Sequence, residues 1–205
     1  MTQAPLMDRI HITEDYDVPR VINGGWQLSA GHALERPLDL ADASRAFNRL
    51  IDMGFDTFDC ADIYTGVEDF FGGIIRERRK AGLRLPQIHT KFVPDLNDLA
   101  NVTPAYVENI ITRSLRRLGV ERLDAVQFHW WDYSVPGMVD VAGELVRLQE
   151  KGLIRLISTT NFNAVELRKL IDAGIPVATN QCQYSVLDRR PAMRLERLCL
   201  SLIHI

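Results

Sequence analysis

Residues 54–91, GFDTFDCADIYTGVEDFFGGIIRERRKAGLRLPQIHTK, hold the pattern that decides the fold. Gly54 breaks the chain, and Phe55–Asp59 then reads as a short buried strand. From Val67 to Ala81 the apolar residues fall at helical spacing, and Gln87–Lys91 reads as a second strand. Two strands joined by a helix of this length pair in parallel through a right-handed crossover. Both strands end on a charged residue, Asp59 and Lys91, and this matters for the architecture.

Reading outward, the same unit recurs. Upstream, Arg20–Leu28 (RVINGGWQL) is a strand opening into a glycine-loosened loop, and Leu40–Met53 has helical periodicity stopped by Gly54. Downstream, Pro104–Leu118 is a helix capped by Thr103 and ended by Gly119. Strands at Asp124–His129, Ile154–Ser158 and Val177–Gln181 alternate with helices at Met138–Lys151 and Ala164–Ala173, and a last helical stretch begins near Pro191. The residues before Arg20 read as a short polar arm. Six strand-helix units result. A doubly wound sheet would announce a nucleotide site with G-x-G-x-x-G after its first strand, whereas this first strand leads only into Gly24-Gly25-Trp26. A (β/α)8 barrel gathers polar residues at the C-terminal ends of several strands, and Asp59, Lys91, His129, Ser158 and Gln181 all end expected strands. The expected fold is therefore an α/β barrel of the TIM type, incomplete in this chain, with about six of eight units.

Composition sets the outer bounds. The 205 residues are enough for one core and read as one domain over residues 1–205. The formal charge of −3 is spread along the chain, and the basic runs Arg76–Lys80 and Arg113–Arg117 sit beside apolar residues at helical spacing, as solvated helix faces do. No nucleic-acid partner is expected. The three cysteines, Cys60, Cys182 and Cys199, are widely separated, which points to a reducing, cytoplasmic setting. No secretory leader and no run of ~18 apolar residues is present, so no membrane partner is expected.

Four residues carry the chemistry: Asp59, Tyr64 in the loop after it, Lys91 in IHTKF, and His129 in LDAVQFHW. Taken singly, the aspartate could be a turn former, the tyrosine packing, the lysine surface and the histidine structural. Together they match, in order, a strand ending in Asp, Tyr after four intervening residues, a T-K strand end and an H-W strand end. With GLIRLISTTNF and NQCQYSVLDRR, this pattern resembles the aldo-keto reductases over roughly residues 20–199. The resemblance implies reduction of an aldehyde or ketone to an alcohol with NADPH as cofactor and a small carbonyl compound as partner. The tetrad Asp59, Tyr64, Lys91 and His129 follows from it. Hydride delivery to a carbonyl carbon leaves an alkoxide that needs a proton, and tyrosine ordinarily titrates near ~10, a value that a neighbouring lysine ammonium lowers. Lys91 takes that role, Asp59 neutralises and orients Lys91, and His129 donates to the substrate oxygen.

Cofactor contacts also follow from the resemblance. Thr160 and Asn161 match the family's S-N pair, and Asn161 with Gln181 would hold the nicotinamide carboxamide; the alternative is that Asn161 caps the helix from Ala164. Ser158 and Thr160 replace the family's usual Gly and Ser. Trp26 and Trp130 are expected to wall the substrate pocket. The family's seventh and eighth strands, which hold the adenosine phosphate, have no counterpart in the sequence, and SLIHI at 201–205 departs from the family's polar helix end. On that expectation the chain as given would be neither a closed barrel nor a competent enzyme. Two other functions stay open: a non-catalytic nicotinamide-binding barrel acting as a regulatory subunit, and a metal-dependent barrel hydrolase or isomerase, for which no H-x-H or carboxylate cluster marks the strand ends.

Overall fold

Parallel strands buried on both faces need near-continuous apolar or pairwise-satisfied sequence, and the central strands have it. The computed structural model of the protein describes residues 8–30 and 39–202. Its main sheet has six parallel strands in sequence order: β3 (Asn23–Gly24), β4 (Thr57–Asp59), β5 (Gln87–Phe92), β6 (Leu123–Phe128), β7 (Ile154–Thr160) and β8 (Val177–Gln181). Helices α1 (Leu40–Asp52), α2 (Val67–Lys80), α3 (Pro104–Leu118), α4 (Met138–Glu150), α5 (Ala164–Asp172) and α6 (Leu195–Leu202) follow the strands in turn. These are six strand-helix units of the (β/α)8 pattern, with β3 and β8 as the sheet edges among the described residues. The sheet is curled rather than flat: the Gln181 amide at the end of β8 reaches Asp59 Oδ1 at the end of β4, 3.0 Å away.

Local chemistry explains the helix bounds. Asp39 caps α1 by accepting from the amides of Ala41 and Asp42, Thr103 caps α3 ahead of Pro104, and Gly119 ends α3 at φ +67°. The apolar faces of these helices meet the outer face of the sheet in one core that includes Phe58, Phe71, Phe92, Phe128 and Trp130. Helices α2 and α3 cross at Gly72, where a Cβ would lie 2.1 Å from the Arg117 carbonyl oxygen.

Two features differ from the sequence reading. The N-terminal arm is not loose: β1 (Arg9–Thr13) and β2 (Tyr16–Pro19) form an antiparallel hairpin. The hairpin lies across the N-terminal ends of the barrel strands. Arg9 bonds Asp56, the Gln87 amide donates to the Asp17 carbonyl, Arg155 pairs with Asp15, and Tyr16 and Val18 pack on Ala125 and Leu156. The strands do alternate, with Ile10 and Ile12 in RIHIT and Tyr16 and Val18 in YDVP, but over only five and four residues, too short to stand out in the sequence. The first barrel strand is also far shorter than Arg20–Leu28, since Trp26–Leu28 turns into a 3-10 helix. Of the stretch at 201–205, residues 201 and 202 end α6 and residues 203–205 lie outside the described residues.

Inside this floor the Tyr16 hydroxyl meets His89 Nε2 at 3.0 Å. Burial pushes the His89 pKa down to about 4. In the unfolded chain the ring titrates near 6.5, so between pH 6.5 and 4 the unfolded state binds the extra proton, and acidification costs the native state up to about 3 kcal/mol. The stability advantage of the wild type over His89→Gln, followed by urea unfolding, should therefore shrink as pH falls from 6.5 to 4; a constant difference would refute a neutral buried His89. At the helix crossing, Gly72→Ala forces α2 off α3. We expect a loss of about 3 kcal/mol, or roughly 6–12 °C in Tm for a domain of this size, checked by thermal melting.

Candidate active site

The polar strand ends meet at the opposite rim. Gly25 follows β3 with its amide donating to the Asp59 carbonyl at 2.8 Å. A Cβ on Gly25 would fall 2.9 Å from Val67 and 3.0 Å from Phe71, so only glycine lets the chain pass and carry Trp26 to the rim. Register then sets the layers. Asp59 lies beside His89 in β4–β5 pairing, and Lys91, one inward position further along β5, lies beside Gln127 of β6.

Lys91 Nζ donates to both Asp59 oxygens, at 2.6 and 2.8 Å, and to the Cys60 carbonyl at 2.8 Å. The lysine is 7% exposed. A buried ion pair is tolerable only when its remaining atoms are satisfied, and here Asp59 Oδ1 also accepts from Gln127 Nε2 at 2.7 Å and Gln181 Nε2 at 3.0 Å. Strands β4, β5, β6 and β8 thus converge on one carboxylate.

Tyr64 and His129 stand over this pair, with Trp26, Trp131 and Thr160, around a cleft of about 470 Å³. Lys91 Nζ is 5.2 Å from the Tyr64 ring centroid. The expected lowering of the tyrosine pKa is reversed. Burial first, and then the Asp59 charge, push Tyr64 up to about 12, because the ammonium is spent on Asp59 and Cys60. Tyr64 is a neutral phenol across the physiological range. His129 Nδ1 lies 3.3 Å from the Thr160 carbonyl, which can only accept, so this nitrogen carries the proton and Nε2 is bare in the neutral ring. Burial, reinforced by Lys91, lowers the His129 pKa, with the Thr160 carbonyl opposing. Donation from His129 to a substrate oxygen therefore requires its cationic form.

The other expected residues divide. Trp26 is half-exposed and lines the cleft. Trp130 is not in the cleft: it is 1% exposed, packs on Phe128 and donates to the Val135 carbonyl. Its neighbour Trp131 takes the place, edge-on to His129 at 4.5 Å and anchored to the Pro94 carbonyl at 2.8 Å. The strand ends at Phe128, so alternation beyond it gave no guide to which tryptophan turns inward. Ser158 does not end its strand; it is buried in β7 and accepts from Thr179 Oγ1 at 2.9 Å. Thr160 ends β7 and donates to Gln181 Oε1 at 3.4 Å, so both ends of the Gln181 amide are engaged. Asn161 is not the helix cap. Asn163 caps α5, accepting from the amides of Val165 and Glu166, while Asn161 lines the cleft at φ +62°.

Sequence reasoning missed Gln127 and a buried charge network behind Tyr64. Asp62 Oδ1 accepts from the Val93 amide at 3.1 Å, and its Oδ2 from Arg113 at 3.0 Å. Glu68 takes Thr90 Oγ1 and Arg117, which also reaches the Asp62 carbonyl. Burial and the Glu68 charge push Asp62 up to about 7 against the pull of Val93 and the arginines. The network ties the turn that bears Tyr64 to the strand end that bears Lys91. Its sequence signal is the basic residues at helical spacing in α3, which read as a solvated face. Among the described residues no three His, Cys, Asp or Glu side chains are grouped to hold a metal ion, and no helix is long and apolar enough to cross a membrane.

Comparison with known proteins agrees with this geometry. A thermostable aldo-keto reductase crystallised with the inhibitor epalrestat superposes with a TM-score of 0.78 at 22% identity, over 95% of this chain and 69% of that one. Methylglyoxal reductase DkgA of Yersinia pestis is 29% identical over 93% of this chain and 61% of its own length. An NADH-specific methylglyoxal reductase of Escherichia coli is 28% identical over 91% and 61%. An aldo-keto reductase of a Mycobacterium species (strain KMS) is 30% identical over 94% and 63%, so the chain spans about three-fifths of these relatives. The model of the Aldo/keto reductase family matches residues 20–202, and with the tetrad residues gathered on a parallel sheet of this topology, the chain belongs to that family.

Proposed function

We propose that the protein reduces an aldehyde or ketone to an alcohol with a nicotinamide cofactor, NADPH, and with Tyr64 as the proton donor. The observation that carries this reading is the Asp59–Lys91 pair, buried directly beneath a protonated Tyr64 in an aromatic-walled cleft. A nicotinamide held beside Asn161 would supply the hydride for the carbonyl carbon. Tyr64 gives its proton to the oxygen as negative charge develops there, and Lys91, held by Asp59, stabilises the phenolate left behind. His129 orients the same oxygen, as a donor when its ring is cationic. Trp26 and Trp131 exclude water, which strengthens each of these interactions. The Asn161 side-chain amide makes no hydrogen bond to another described residue and is suited to the nicotinamide carboxamide; Gln181 and Thr160 border the same place.

Two of the relatives are named methylglyoxal reductases, which makes small dicarbonyls a substrate class to try first, and one is NADH-specific, so both reduced cofactors belong in the assay. The three free cysteines support a reducing, cytoplasmic setting.

The test follows consumption of NADPH or NADH by the full-length protein against a panel of small aldehydes. Cofactor binding without turnover of any carbonyl would favour a binding barrel instead. Tyr64→Phe keeps the ring and deletes the proton donor, so we expect kcat to fall by about 100-fold or more with cofactor affinity within about twofold. Retention of more than a tenth of kcat would remove Tyr64 from the donor role. Lys91→Met strands Asp59 with only the two glutamine amides for partners. Activity should be lost, and breaking the buried pair should cost about 3–5 kcal/mol, read by denaturant unfolding.

A further inference from the structure

Among the described residues Asn161 is the non-glycine residue with positive φ, at +62°. L-residues avoid this left-handed region, asparagine less than most, and such a conformation persists where its surroundings over-determine it. Two contacts do so here. The Asn161 amide donates to the Gln181 carbonyl at 2.7 Å, and the Asn161 carbonyl accepts the Tyr133 hydroxyl at 3.2 Å. Tyr133 comes from the segment between β6 and α4, and its ring packs edge-on against Phe162 at 5.5 Å. It is a dependable donor, since burial pushes its pKa up to about 12. The two peptide units that flank the Asn161 Cα are thus each pinned, while the side chain is left to the cleft.

We propose that Tyr133 is a positioning residue for the nicotinamide: its hydroxyl clamps the Asn161 carbonyl and so holds Asn161 left-handed, with its side-chain amide presented to the cofactor carboxamide. This rests on the reading of Asn161 as a nicotinamide contact. An amide recognises another amide through directed hydrogen bonds, so a rotation of the Asn161 backbone toward the right-handed region would swing the group out of register. Gln181 holds only the peptide unit before the Asn161 Cα, and the unit after it depends on Tyr133.

The test is fluorescence titration of NADPH into the full-length wild type, Tyr133→Phe, Asn161→Ala and the double variant, each with a thermal melt. Loss of one neutral hydrogen bond predicts that Tyr133→Phe weakens NADPH binding by about fivefold. In the Asn161→Ala background the same change should have no further effect, because the group being positioned is gone. Equal affinity of wild type and Tyr133→Phe, or an equal loss in both backgrounds, overturns the proposal. Loss of a cooperative melt in Tyr133→Phe overturns it too, since a positioning hydroxyl is dispensable to the fold. A wild type that does not bind NADPH overturns the nicotinamide reading itself, whereas binding that Tyr133→Phe leaves intact overturns this inference alone.

Discussion

Burying an ammonium and a carboxylate together inside a sheet obliges the rest of the structure to complete their coordination, because each unsatisfied oxygen or N–H in that setting is costly. Asp59 and Lys91 state that obligation, and four strands answer it. The Cys60 carbonyl and the Gln127 and Gln181 amides reach the pair only if β4, β5, β6 and β8 hold their observed register and the sheet curls enough to bring β8 across to β4. Gly25 belongs to the same demand, since any side chain there would push β3 away from the Asp59 carbonyl. The charges at the centre and the curvature of the sheet are therefore one problem with one solution.

The two ends of the sheet divide the labour. At the floor, neutral Tyr16 and His89 fill the space below the ion pair while charged residues bridge the hairpin to the strand starts. At the mouth, burial likewise disfavours the charged forms of Tyr64 and His129. The ammonium of Lys91 thus has its counter-charge on one side, on Asp59. Behind the mouth, Asp62 and Glu68 with Arg113 and Arg117 join the Tyr64 turn to the Lys91 strand end, so the spacing of the two groups is set by contacts away from the cleft.

Much of the fold was legible because strand-helix alternation is written in local periodicity: α3 and β8 fall where spacing and caps put them, and β4 to β7 differ by a residue or two. The grouping of Asp59, Tyr64, Lys91 and His129 at one rim was legible for a related reason, since each sits at or just past a strand end. What failed were features decided by tertiary partners. The hairpin reads as a polar arm because its reason for folding, Tyr16 over His89, lies in a strand far along the chain. Trp130 and Trp131 are indistinguishable as letters; which one turns into the core depends on the position of Phe128 and Phe162. The pKa of Tyr64 was misjudged because sequence names the lysine nearby but not where its three donors point.

The floor also bears on the order in which the chain can assemble. Tyr16 is made early, yet its partner His89 follows 73 residues later, and Asp15 waits 140 residues for Arg155. A two-stranded hairpin has little stability alone in water, and contacts of such sequence separation form only after large loops have closed. During synthesis the hairpin strands thus emerge before the strand starts of β4 to β7 that they bridge, and settle as the base only once those have been gathered.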